Sequence, residues 1–135
     1  MNTEVANPKT NFLLGAGLND LHQESTAWLE TTRFWEDEMK FINKLLQRSE
    51  PLGEDLKACK EMMENLESLH DDFLNQLKED VIEQEKLLTR LEKREKGLAD
   101  WDYRELHDRL QQRMDIMRRD FRIFKKVLFG YVKSL

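Results

Sequence analysis

At 135 residues with 39% hydrophobic and 36% charged residues, the chain has the make-up of one water-facing domain and is too short for several. Only 5 Gly and 2 Pro interrupt a composition rich in Leu, Glu, Lys and Arg, which points to long helices and excludes a β-sandwich or a Gly/Pro-rich disordered chain. A formal net charge of −5 argues against a nucleic-acid partner, and no apolar run approaches the roughly 18–20 residues that cross a bilayer.

Residues 1–17 are small and polar, and read as a flexible N-terminal arm whose Phe12, Leu13 and Leu14 could dock on the end of a bundle. The apolar stretch 12–18 lacks a basic leader beyond Lys9 and a clear cleavage site, so an export signal is not expected and a cytoplasmic address is. The first helix is expected over about 18–47, capped by Asn19 or Asp20. Leu21, Trp28, Trp35 and Ile42 repeat every seven residues, and Thr32, Met39 and Leu46 form a second column. Phe34, Phe41 and Leu45 widen this apolar face, which implies contact with two neighbouring helices rather than one. Pro51 and Gly53 then make a turn.

The second helix reads as uninterrupted over 54–96, with no Gly or Pro, and would span roughly 65 Å. Its seam is Leu56, Cys59, Met63, Leu66, Phe73, Leu77, Leu87 and Leu91, with His70 and Gln84 set into it. Cys59, the one cysteine, lies on this seam and so reads as a buried free thiol. Gly97 can end the helix in a left-handed conformation, with Leu98 folding back on it and Asp100 capping the next helix. The third helix is expected over about 101–133. One column is Tyr103, Leu110, Met117, Phe124 and Tyr131; the other is Leu106, Met114, Phe121 and Leu128. Ile116, Ile123 and Val127 lie on a second strip off this seam, a candidate interface.

Two short turns make successive helices antiparallel neighbours, so the fold class is all-α: an up-down-up three-helix bundle with long, coiled-coil-like helices. Residues 54–99 carry 8 Lys/Arg against 13 Asp/Glu and residues 100–135 carry 9 against 6, a contrast that favours pairing of the second and third helices. In this register Glu38 is level with Tyr131, and His70 lies about one turn away. A buried polar cluster of Glu38, His70 and Tyr131, assisted by Trp35 or Thr31, is therefore expected, with register-setting as its first reading, exposure of these groups at the surface as the second and ligand binding as the third.

The spacing Glu67-x-x-His70 matches the two-ligand unit of di-iron bundles, but the full set needs a second such unit and two further Glu. Glu67 and His70 are thus weak metal candidates, and no metal or cofactor is assigned. No phosphate-binding loop or nucleophile–His–acid pattern occurs, so catalysis is not expected.

The layout over about residues 18–133 resembles a spectrin-type repeat, with Trp28 inward on the first of three long helices. The run Leu21-His22-x-Glu24, Trp28-Leu29-Glu30 and Phe34-Trp35-x-Asp37-Glu38-x-x-Phe41 is similar to small all-helical bacterial proteins without an assigned activity. That resemblance implies a cytoplasmic helical protein and carries over no site residues. Three functions are weighed: a non-enzymatic interaction or scaffold protein that meets a protein partner or forms a homodimer; a metal- or small-ligand-binding bundle using Glu38 and His70; and peripheral membrane binding through the basic third helix, whose apolar second strip fits a dimer face or the seat of the first helix better than a lipid surface.

Overall fold

A computed structural model describes residues 8–49, 51–93 and 100–134, with side chains over 17–49, 51–93 and 100–133. Three helical rods make up the described chain: α1 (Pro8–Arg48); α2 (Glu54–Ser68), continued through a π-helical turn (Leu69–Leu74) into α3 (Asn75–Glu92); and α4 (Asp100–Ser134). The expected arm is helical from Pro8, so residues 8–17 extend the first helix by more than two turns, and Asn19 and Asp20 lie inside it rather than at a cap. Residues 1–7, and the Gly97–Leu98 turn, fall outside the described residues. Asp100 begins α4 and holds Arg104 one turn on, with Oδ1 accepting from Nε at 2.9 Å.

Gly53, in the expected turn, takes a positive φ of 61°. Its carbonyl accepts the N–H groups of Leu56 and Lys57 at 3.1 and 3.4 Å, closing the first turn of α2. Pairings across the rods run in opposite senses: His22 meets Glu85, Glu36 meets Lys78, and Leu46 meets Cys59. Asp80 meets Arg113, and Asp55 meets Tyr131. The middle rod is therefore antiparallel to both others, while α1 and α4 run parallel, as Glu24–His107 and Glu38–Lys125 show.

The main core joins Trp28, Trp35, Met39, Ile42 and Leu46 of α1 to Leu66, Leu74, Leu77 and Val81 of the middle rod and to Leu110, Met114, Phe121 and Leu128 of α4. A smaller cluster of Leu21, Leu88 and Tyr103 closes the end nearer the α3–α4 connection.

The second helix is not the unbroken α-helix expected. Between Leu69 and Leu74 the Asn75 N–H reaches the His70 carbonyl, five residues back, so the turn holds one residue more than an α-turn. Buried positions run Cys59, Met62, Leu66, then Leu74, Leu77, Val81, Gln84 and Leu88. Beyond the π turn the seam is displaced by one residue: Leu74 is 0% exposed and Phe73, expected in the core, is 56% exposed. The reason lies at positions 80 and 81. An unbroken helix would carry Asp80 into the core, where a carboxylate costs several kcal/mol. The extra residue places Val81 there instead and leaves Asp80 to receive Arg113 at 2.6 Å.

Other expectations shift on the same wheel. Leu88 rather than Leu87 is buried, Met62 is more enclosed than Met63, and Leu56 is exposed. On α1, Phe34, Phe41 and Leu45 are exposed, so the apolar arc that enters the core is narrower than expected. On α4, Leu106 is 42% exposed and its neighbour His107 is 5% exposed, so a histidine rather than a leucine completes the second column.

Candidate functional site

The structure separates the expected polar cluster. Residues 36 and 38 project to opposite flanks of α1, because two helical steps turn the chain by roughly 200°. Glu38 faces α4 and accepts from Lys125 Nζ at 3.0 Å. His70 faces the other flank, with Nδ1 2.7 Å from Asp71 and Nε2 3.9 Å from Glu36. The Tyr131 hydroxyl donates to the Asp55 carbonyl at 3.3 Å, and Thr31 donates to the Ala27 carbonyl at 3.0 Å. The buried Trp35 ring lies 5.8 Å below the Arg118 guanidinium. Glu67 and His70 both line an open groove of about 280 Å³ between α1 and α2. Among the described residues no three His, Cys, Asp or Glu side chains converge as a metal site. Cys59 is buried, its Sγ 3.5 Å from the Leu46 carbonyl, as its place on the seam implies.

A buried polar layer does exist, one level further toward the small cluster. His107 is its centre. Nε2 lies 2.6 Å from Glu24 Oε1, and Nδ1 lies 2.9 Å from the Gln84 side-chain nitrogen. With Gln84 donating to Nδ1, the neutral ring carries its proton on Nε2 and donates it to Glu24. Trp28 stacks on the imidazole at 4.5 Å between ring centres. The Tyr103 ring lies 6.2 Å from the imidazole, tilted to it, and is fully enclosed. Burial pushes the Tyr103 phenol up to about 12; nearby Glu85 adds to the shift, while Gln84, Ser25 and Arg104 pull against it. The hydroxyl neighbours Gln84 and Ser25 without reaching hydrogen-bonding geometry to either, and both the Gln84 and Ser25 oxygens are also unpartnered. The layer ties all three rods together at one height and sits between the two apolar clusters. Glu24 and Gln84 stand out in the sequence as polar residues on apolar faces, but their partner does not until Leu128, Phe121 and Met114 are stepped back by seven to His107.

The second feature is a surface. Ile116, Ile123 and Val127, the strip read from the sequence, are about half exposed, and Phe73 is turned out beside them by the π turn. Two grooves lie along this face. One, of about 370 Å³, runs between α2 and α4 past Leu69, Ile123 and Val127. The other, of about 300 Å³, runs past Phe73, Gln76 and Ile116, and Asp120 borders both. No described helix is long and apolar enough to cross a membrane. Comparison with protein-family models, with curated protein sequences and with solved structures finds no match to this chain.

Proposed function

We propose that this chain is a non-catalytic helical interaction protein whose binding surface is the face between the middle rod and α4. The observation that supports this is the strip of Ile116, Ile123, Val127 and Phe73, each roughly half exposed and set beside two grooves. Contiguous apolar patches of a few hundred Å² on a small domain mark contact sites, and aliphatic and aromatic groups rimmed by charge are what such sites contain. The His107 layer supports a structural part for the buried polar groups, since each of its two ring nitrogens is already engaged within the protein. The ligand-binding alternative through Glu38 and His70 is not carried forward, because the two residues serve different partners.

The test is a photo-crosslinking residue in place of Ile123 of the full chain, in its native cells, with the same residue in place of Glu30 on the outer face of α1 as control. Adducts to polypeptide from position 123 and none from position 30 are expected. Absence of protein adducts at position 123, or co-sedimentation of the chain with anionic vesicles in place of them, refutes the proposal.

A further inference from the structure

Resting on that reading of the face, we infer that its partner is a second copy of this chain, laid so that the two α4 helices run parallel about a two-fold axis along the strip. The rims of the strip carry opposite charge. On the middle-rod side the residues bordering the grooves step through Asn65, Ser68, Asp72 and Gln76, and the same helical stripe continues to Glu61 and Glu79. Its charged members are all acidic. On the outer side of α4 the exposed residues beside Ile123 and Val127 are Arg119, Arg122 and Lys126, all basic.

A strip with one acidic and one basic edge can meet its own copy in two ways. In an isologous pair the two-fold axis lies in the contact plane. With the axis across the strip, each edge returns onto itself, so acid faces acid and base faces base. With the axis along the strip, the edges exchange, so Asp72 and Glu61 face the basic stretch Arg119, Arg122 and Lys126 of the other copy; Asp115, farther along beside Ile116, is the acidic member of the outer side. Like charges opposed across an interface cost several kcal/mol, so the second arrangement is selected. Heights are preserved by that rotation. Asp80 pairs with Arg113 and Asp55 with Tyr131 inside one copy, and between these two anchors Asp72 falls level with Arg119 and Glu61 near Lys126; across the axis these become intermolecular pairs.

The size is also adequate. Four half-exposed apolar side chains offer on the order of 400 Å² per copy, about half of the roughly 800 Å² per partner that a standard interface buries, which is close to the usual apolar share. The other exposed apolar stripe, Phe34, Phe41 and Leu45, is bordered by Glu30, Asp37, Lys44 and Arg48 in mixed order and has no such self-complementary edges.

The test is sedimentation equilibrium of the full chain over a range of concentrations. Wild type is expected at twice the 16.2 kDa chain mass. Ile123→Glu should weaken association by about a hundredfold while leaving the helical circular dichroism unchanged. R119E/K126E and, separately, E61K/D72K should each weaken it by about tenfold or more, and an equimolar mixture of the two should restore a heterodimer near wild-type strength. That restoration is peculiar to the edge-exchanging arrangement. A single-chain mass at all concentrations, dissociation by Phe41→Glu instead of Ile123→Glu, or a mixture no tighter than its components would overturn the inference. If the chain is monomeric but position 123 still crosslinks to another protein, the dimer fails and the interaction reading stands.

Discussion

Removing Asp72 should leave the fold intact, although it deletes a residue from the centre of the middle rod. The π turn makes room for one residue beyond the seven-residue repeat, and with Asp72 gone buried Leu66, partly buried Leu69 and buried Leu74, Leu77 and Val81 fall at steps of three, four, three and four in an ordinary α-helix. The same core residues then meet α1 and α4, whose own seams repeat every seven without interruption. The loss is one exposed hydrogen bond, from Ser68 to Asp72 at 2.9 Å. Stability should therefore change by about 1 kcal/mol or less. Deleting exposed Glu79 instead is the matched control. It turns everything beyond it by about 100° while the π turn remains, so Ile82 takes the place of Val81, but Glu85 enters in place of Gln84 and Thr89 in place of Leu88. Losing the buried Leu88 side chain costs about 1.5–3 kcal/mol and burying the Glu85 carboxylate several kcal/mol more, a large share of the roughly 5–15 kcal/mol by which domains are stable. Urea unfolding followed at 222 nm would compare the midpoints. If the Asp72 deletion unfolds as easily as the Glu79 deletion, the account of the π turn as an absorbed extra residue is wrong.

Three further expectations concern the core. Tyr103 is held neutral by burial, so its folded pKa of about 12 lies above the value near 10 in the unfolded chain; its contribution is complete below pH 10 and disappears as pH rises through 12. Wild type should lose about 2 kcal/mol more than Tyr103→Phe between pH 9 and 12 in denaturant titrations, and equal losses would refute this. Gln84→Leu alone strands the His107 ring nitrogen and should cost about 1–3 kcal/mol, while Gln84→Leu with His107→Leu should cost less than the two single changes summed; strict additivity would show that the pair is not coupled. Phe121→Ala should cost about 3–5 kcal/mol and exposed Phe41→Ala within about 0.5 kcal/mol, a contrast readable from thermal midpoints.

The columns of α1 and α4 are legible in the sequence because their spacing is regular: Trp28, Trp35 and Ile42, or Leu110, Met117 and Phe124, allow one helical face each. The middle rod is harder. Both Phe73 and Leu74 can continue the seam, and Leu77, Gln84 and Leu91 belong to either choice. The deciding pair is Asp80 and Val81, where one register buries a carboxylate and the other a valine. The step of five from Leu69 to Leu74 is the only local sign of the extra residue. Phe34 and Phe41 misled for a different reason: aromatic character marks a surface as apolar without saying whether another part of the same chain covers it. Glu38 and His70 were brought together by counting levels alone; which flank of the helix each occupies depends on supercoil and on the π turn, which level-counting omits. In the sequence Leu106 is the more hydrophobic of two adjacent candidates and so takes the core position, whereas in the structure the position goes to His107 through its stack on Trp28 and its bonds to Glu24 and Gln84.

The His107 layer also divides the bundle by strength. On one side lies the long apolar core; on the other, among the described residues, lie Leu21, Leu88 and Tyr103, helped by partly covered Leu18, Leu87 and Leu91. Breaking the Glu24–His107–Gln84 hydrogen bonds separates the two apolar clusters, so the Tyr103 side can open with less free energy than global unfolding requires. The end of the rod that carries Tyr103 is thus built to fray as a unit, its amide protons exchanging through openings that leave Phe121, Met114 and the α2–α4 face untouched.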